Sequence, residues 1–448
     1  MRNLLRGKRQ PGELENPTYA IALSGGGARG AYEAGVVHYI RSQLPPEISQ
    51  QVLFKVFSGT SVGAINTSFM ASAAHDPAYQ GTQIRHLWEH LTSEDIYHAD
   101  VEALAGFLVK SGLFMATNFF GLGHLLMGGQ GSANPFPFRS VLDTTPFVHY
   151  LRHNVDWNQL HRNVQNRVID AVTVSATHMA TGQLALFVEK HPDVAYRSGG
   201  HYPITVTLSA KHILASAAIP LIFPIIRVNR QYYGDGSLKQ NTPMSPAIHL
   251  GGDRVLVISM TVEQMHRPIP VMAPDEVERE PRVADILGRL LNTIFQDKVD
   301  YDLSQMKRIN YLIRDFERVF GDDAVQKVNE MRRSKRVPGK EINPLHRVMS
   351  FVIRPTVDIG AIAYDHFTQL LKKRHELTPV QRFFARMVEG SPDGHNDFIS
   401  YLMFEKDYLC TLVQLGYEDA RASHEPLTRF LTGQPFDTMA APSTPAAD

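Results

Sequence analysis

Twice near its start this chain runs from a short apolar stretch into a glycine turn and out into a helix-like stretch. Residues 18–23 read as a buried strand, Ser24 to Gly30 as the turn and 31–41 as the helix. Residues 52–57 then enter Gly59, Thr60, Ser61, Val62 and Gly63, and a second helical stretch continues to about residue 74. Strands alternating with helices build a mostly parallel sheet covered on its faces, and such sheets gather ligands at the C-terminal ends of their strands. Both glycine turns lie at such ends. Residues 167–175, 183–189, 254–260 and 347–354, each rich in Val, Ile or Phe, supply further strands. The expected class is α/β, a mostly parallel central sheet with helices on both faces.

With 448 residues, one large α/β domain with a largely helical C-terminal extension is favoured over two equal domains. The chain then divides into an N-terminal extension at 1–17 and a core holding both glycine turns at 18–260. Pro268, Pro270, Pro274 and Pro281 amid charges mark 261–282 as a linker or surface loop. Val283, Ile286, Leu287, Leu290, Leu291, Ile294 and Phe295 then follow helical spacing, as do Phe398, Leu402, Leu409 and Val413 before Gly416. A helical region at 283–434, holding one further strand near 347–354, is therefore expected, with a disordered tail at 435–448.

Lys plus Arg and Asp plus Glu each total 45, so no net charge draws the molecule to nucleic acid. Cys410 is the single cysteine, and no Cys/His run has zinc spacing, so neither a disulfide nor a metal is expected. The basic start lacks the apolar stretch of a secretory signal. Residues 111–127 are interrupted by Asn118, His124 and three glycines, too broken for a membrane span. A cytoplasmic protein, with peripheral membrane contact allowed, is the expectation. The candidates for that contact are the apolar 103–127 and the cluster Arg332, Arg333, Lys335 and Arg336, which read equally well as a buried hairpin and a solvated loop. The oligomeric state stays open.

Gly59 to Gly63 form a G-x-S-x-G pattern between a strand and a helix, the setting of a nucleophile elbow. The sharp turn exposes the serine hydroxyl, and the flanking glycines leave room for the neighbouring strand and helix. Gly25, Gly26, Gly27 and Gly30 satisfy a dinucleotide-loop pattern as well, yet the second strand ends in Ser58 and Gly59 and not in the acid that would hold a ribose. The alternatives are an oxyanion hole, in which successive N–H groups at a helix start face a developing negative oxygen, and a plain tight turn. Arg29 reads as support for the loop, as support for an anionic headgroup, or as a solvated surface residue. A serine hydroxyl is a weak nucleophile until a base takes its proton. Asp235, between Gly234 and Gly236 on a turn after the strand-like 231–233, can serve. The small-residue run 215–220 before it reads as core packing.

These three motifs, GGGARG from Gly25, GTSVG from Gly59 and DGS from Asp235, stand in the order and separation that mark the patatin-like phospholipases, which this chain resembles. Asp143 to Pro146, the ASAAIP run ending at Pro220 and the apolar strand ending at Met260 are similar too, so the resemblance covers roughly 19–260 and the strand near 348–354. It implies the three-layer fold of that family and a cofactor-free lipid acyl hydrolase of phospholipase A or lysophospholipase type. By the same resemblance Ser61 attacks the ester carbonyl, Asp235 acts as general base and the Gly25–Gly27 backbone binds the oxyanion. An acyl-enzyme forms and is hydrolysed. Ser237 departs from the pattern, since many relatives have glycine or alanine there. Two alternatives stand beside this reading. One is an α/β-hydrolase with a Ser-Asp-His triad, for which His249, His266, His346, His366, His375, His395 and His424 all follow Asp235. The other is a catalytically inactive membrane-docking protein. The lipid and the position of cleavage are not legible.

Overall fold

The computed structural model describes residues 17–50, 54–98, 142–197, 203–220, 222–262, 293, 295, 299–334, 344–372, 377, 381–382 and 397–434. The apolar 103–127, Lys335 and Arg336, most of the proline-rich 261–282, the apolar positions Val283 to Leu291 and the tail at 435–448 lie outside them. Among the described residues, no helix is long and apolar enough to cross a membrane.

The expected sheet is present and mostly parallel. β1 (Tyr19–Leu23) lies between β2 (Val56–Thr60) and β8 (Arg254–Ile258), parallel to both. β3 (Ala171–His178) continues the parallel set beyond β2, and β9 (Met349–Ile353) continues it beyond β8. β4 (Leu184–Lys190) turns back antiparallel along β3, and β5 (Pro203–Thr205) lies beyond it. β7 (Gln231–Asp235) pairs antiparallel with β6 (Ile226–Val228) and with the last residues of β3.

Period-two alternation explains how one strand serves two cores. On β1, Ile21 and Leu23 join one core, while Ala20 and Ala22 join the other. The first core is covered by the helices Gly30–Ser42, Val62–Ser72 and Lys406–Ala422. The second takes Met244 and Ala247 from the helix Met244–His249, and Val299 and Leu303 from the helix Val299–Phe320. Helices therefore lie on both faces, and the C-terminal part contributes a strand and helices to the same body.

β2 differs from its expected extent in an informative way. It begins at Val56 and runs through the polar Ser58, Gly59 and Thr60, all buried. Apolar patterning stops at Phe57, but pairing does not: Ser58 and Gly59 face β1 on one edge and β3 on the other, so their backbone groups are met on both sides.

The helix Lys406–Ala422 is seated on the helix Gly30–Ser42 by two glycines. A β-carbon on Gly35 would lie 1.9 Å from the Val413 carbonyl oxygen, and one on Gly416 would lie 2.0 Å from that of Tyr32. The two backbones touch where both side chains are missing. Gly416→Ala is therefore expected to destabilise the protein by about 1–3 kcal/mol through overpacking, despite alanine's better helix propensity. Thermal melts of the parent and variant check this, and an unchanged midpoint would mean that the helices do not cross so closely.

Candidate active site

Ser61 sits between β2 and the helix Val62–Ser72 with φ 52° and ψ −121°, a strained backbone for any side chain. Its neighbours over-determine that conformation. A β-carbon on Gly63 would lie 2.3 Å from the Leu23 carbonyl oxygen, and one on Gly59 would lie 2.3 Å from that of Gly63. The Ser61 N–H donates to Ser216 Oγ (2.8 Å), and Ser216 Oγ in turn donates to the Ser175 carbonyl (2.5 Å). The Ser61 turn is thus tied through Ser216 to β3.

That strand also brings Asp235 in. On β3, Ser175 pairs with Thr60 at the end of β2, and the next residue, Ala176, pairs with Asp235 at the end of β7. Two strands running in opposite directions meet head to head along one edge. Ser61 Oγ consequently donates to Asp235 Oδ2 at 2.7 Å. Asp235 Oδ1 accepts the Ser237 N–H (2.8 Å), its own N–H donates to Ala218 O (3.0 Å), and its carbonyl accepts from Thr177 Oγ1 (2.8 Å). The residue has no solvent exposure. Burial pushes its carboxyl from an ordinary 3.8 up to about 6, against the hydrogen bonds from the Ser237 N–H and the Ser61 hydroxyl that favour the charged form.

The glycine loop lies against Ser61 but does not offer three equal amides. The Gly25 N–H is engaged by the Asn241 carbonyl at 3.1 Å. Among the described residues no acceptor meets the N–H of Gly26 or Gly27. The loop is held from behind by Glu33, whose Oε1 accepts the Ser24 N–H (2.8 Å) and whose Oε2 accepts Asn66 Nδ2 (2.8 Å). Arg29 is 4% exposed, so its reading as a solvated surface residue gives way. Its Nε and Nη2 donate to Ser400 Oγ (2.8 and 2.6 Å), and the guanidinium lies 4.1 Å from the centre of the Tyr401 ring.

Ser61 and Gly27 open onto an apolar cavity of about 40 Å³, walled by Val62, Ile65, Phe69, Trp88, Phe223 and Phe404 among others. The described triad candidates are engaged elsewhere. His249 lies against Tyr196, His346 is 3.0 Å from Asp253, His366 contacts Thr411 and His424 meets the Tyr39 hydroxyl. His266, His375 and His395 lie outside the described residues. Sequence reasoning missed Ser216 and Asn241, which act on the site across long chain separations, and Glu33, nine positions from Ser24 on a helix with no local pattern to mark it. Among the described residues no cluster of metal-binding side chains occurs.

The protein-family model described as Patatin-like phospholipase matches residues 21–248. No curated protein matches. Among solved structures, the crystal structure of VipD from Legionella pneumophila is similar at 11% identity, covering 95% of this chain and 71% of that chain, with a TM-score of 0.33.

A buried carboxyl with a raised pKa makes stability depend on pH. The folded protein holds this proton more tightly than the unfolded chain, so the stability it contributes is present below about pH 4 and is lost as pH rises through about 6. Asp235→Asn cannot ionise and escapes that loss. Relative to the parent, the Asn variant is expected to gain up to roughly 3 kcal/mol between pH 4 and pH 8. Urea melts of both proteins across that range measure it, and a difference independent of pH would refute the raised pKa.

Proposed function

The chain belongs to the patatin-like phospholipase family, and we propose that it is a phospholipase A or lysophospholipase working through a Ser61 acyl-enzyme, with Asp235 as the general base. The observation that carries this reading is the 2.7 Å hydrogen bond from Ser61 Oγ to a fully buried carboxylate at the mouth of an apolar cavity.

Ser61 Oγ attacks the ester carbonyl as its proton passes to Asp235 Oδ2. A carboxylate of ordinary pKa is a poor base for an alcohol; one raised to about 6 is a better match and still ionised at neutral pH. The developing oxyanion takes the Gly26 and Gly27 amides, which have no acceptor among the described residues, while Gly25 holds the loop through Asn241. Arg29, turned away into Ser400 and Tyr401, steadies that loop. Collapse of the tetrahedral intermediate expels the alcohol, which takes the proton back from Asp235. Water then releases the acid. The apolar cavity suits the acyl chain, whose entry requires its side chains to move apart. Peripheral contact with a lipid surface belongs to the same reading, because such substrates are presented there. No cofactor enters the proposal.

A fluorophosphonate probe followed by mass spectrometry is expected to label Ser61, and Ser61→Ala to abolish ester hydrolysis. Asp235→Asn is expected to lower kcat by at least about 10²-fold, since the amide accepts no proton. In the parent, kcat/KM should rise about tenfold per pH unit up to about pH 6 and level off above it, because the base works only when ionised. An alanine variant of any one histidine that is as inactive as Asp235→Asn would decide for a triad instead.

A further inference from the structure

Around Gly25, beside Ser61, two buried polar atoms make no hydrogen bond among the described residues: Ser237 Oγ and Asn241 Oδ1. Ser237 is 5% and Asn241 7% exposed, so bulk water does not meet them. Unmet polar atoms at such depth are costly, and two together mark a place where something binds.

Gly25 locates them. A β-carbon built there would lie 2.2 Å from Ser237 Oγ, 2.6 Å from Asn241 Oδ1 and 3.2 Å from Ser61 Cβ. The two oxygens are therefore no more than about 4.8 Å apart, and both lie within about 5.8 Å of the nucleophile's Cβ. That spacing lets a single small molecule touch both. The Asn241 oxygen is not free to turn away. Asn241 Nδ2 donates to the Phe295 carbonyl at 2.9 Å, which leaves Oδ1 as the end facing Gly25. The Ser237 N–H donates to Asp235 Oδ1 at 2.8 Å, which holds the residue beside the carboxylate. An amide oxygen, a hydroxyl and a carboxylate together suit a neutral ligand that donates two hydrogen bonds and accepts one.

We propose that Ser237 and Asn241 hold the water that hydrolyses the acyl-enzyme, an inference that rests on Ser61 as nucleophile and Asp235 as base. In the resting site Asp235 Oδ2 accepts the Ser61 hydroxyl. Once Ser61 is esterified its oxygen has no hydrogen, and Oδ2 is open to a new donor. Water fits, accepting from the Ser237 hydroxyl and donating one O–H to Asn241 Oδ1 and the other to Asp235 Oδ2. Its oxygen bonds to the acyl carbon as the second proton moves to Asp235. The bond from that carbon to Ser61 Oγ then breaks, Asp235 returns the proton to Ser61, and the carboxylic acid leaves. An alcohol has one O–H; it can satisfy Asp235 or Asn241 but not both. Asn241 therefore favours hydrolysis over acyl transfer.

The test acylates the full-length parent, Ser237→Ala and Asn241→Ala with a nitrophenyl fatty ester. Nitrophenol release reports acylation, and intact-protein mass spectrometry follows loss of the acyl mass from Ser61, with and without glycerol as acceptor. Acylation is expected within about threefold of the parent in both variants, with acyl release slowed at least about tenfold. Asn241→Ala should also send a larger share of the acyl group to glycerol. Acyl release at the parental rate in both variants would overturn the water site, and so would acylation and release slowed together, the mark of a merely structural role. Failure of the parent itself to carry the acyl mass on Ser61 would sink the nucleophile reading instead.

Discussion

Asp235 is a carboxylate with no solvent exposure, so each of its polar atoms must be met from inside the protein. Ser61 and the Ser237 amide meet the side chain, while Ala218 and Thr177 meet the backbone. Two hydrogen bonds do not replace a full hydration shell, and the deficit appears as affinity for a proton. The same environment that destabilises the charged carboxylate gives it a pKa suited to exchanging a proton with a serine. Local stability and basicity are opposed in this one residue, and the rest of the site is arranged around tolerating that.

β3 makes the arrangement rigid. Ser61 and Asp235 are 174 positions apart, yet their separation in space is set by two adjacent residues of one strand, Ser175 and Ala176. Positioning thus lies in main-chain ladders, and only the last bond depends on side-chain rotamers. A slip of one residue in either ladder would turn alternate side chains to the other face and part the two groups. Ser216, bridging the Ser61 amide to the Ser175 carbonyl, pins the turn to the same strand. Geometry held this way needs little reorganisation on substrate binding.

What the sequence discloses follows the range of the interaction. The elbow and the glycine loop are local devices, each a strand, a turn and a helix in one continuous stretch, Tyr19 to Ser42 and Val56 to Ser72, and their patterns are readable. Asp235 was legible only by pairing a turn signal with the chemical need for a base. The bounds of β2 were legible only in part: apolar character marks 52–57, whereas the strand runs from Val56 to Thr60, with Ser58 and Gly59 in the sheet through pairing on both edges. Arg29 shows the limit in reverse: a charged residue in a glycine loop looks solvent-facing until Ser400 and Tyr401, more than 370 positions on, are seen to cover it. Nor does the pattern of Gly25, Gly26 and Gly27 reveal that the first amide is engaged by Asn241 while the next two meet no acceptor among the described residues.

The helical C-terminal part closes this logic. Its amphipathic pattern shows that each helix needs a partner but not which one. For the stretches around Phe295 and Tyr401 the partner is the site itself. The Tyr401 carbonyl occupies the place a side chain on Gly27 would take, Phe404 lines the cavity, and the Phe295 carbonyl fixes the Asn241 amide. Gly27 stands at φ 56°, which glycine adopts freely and other residues resist. Substituting it therefore meets two obstacles at once, backbone strain and the Tyr401 backbone. The loop that carries the candidate oxyanion donors is accordingly shaped from both ends of the chain: Glu33 holds it from the core helix, and the segment around Ser400 holds it from the other side. Neither contact touches the reacting atoms. Both restrict where the Gly26 and Gly27 amides can point, and a donor contributes to an oxyanion only when its direction is set before the charge forms.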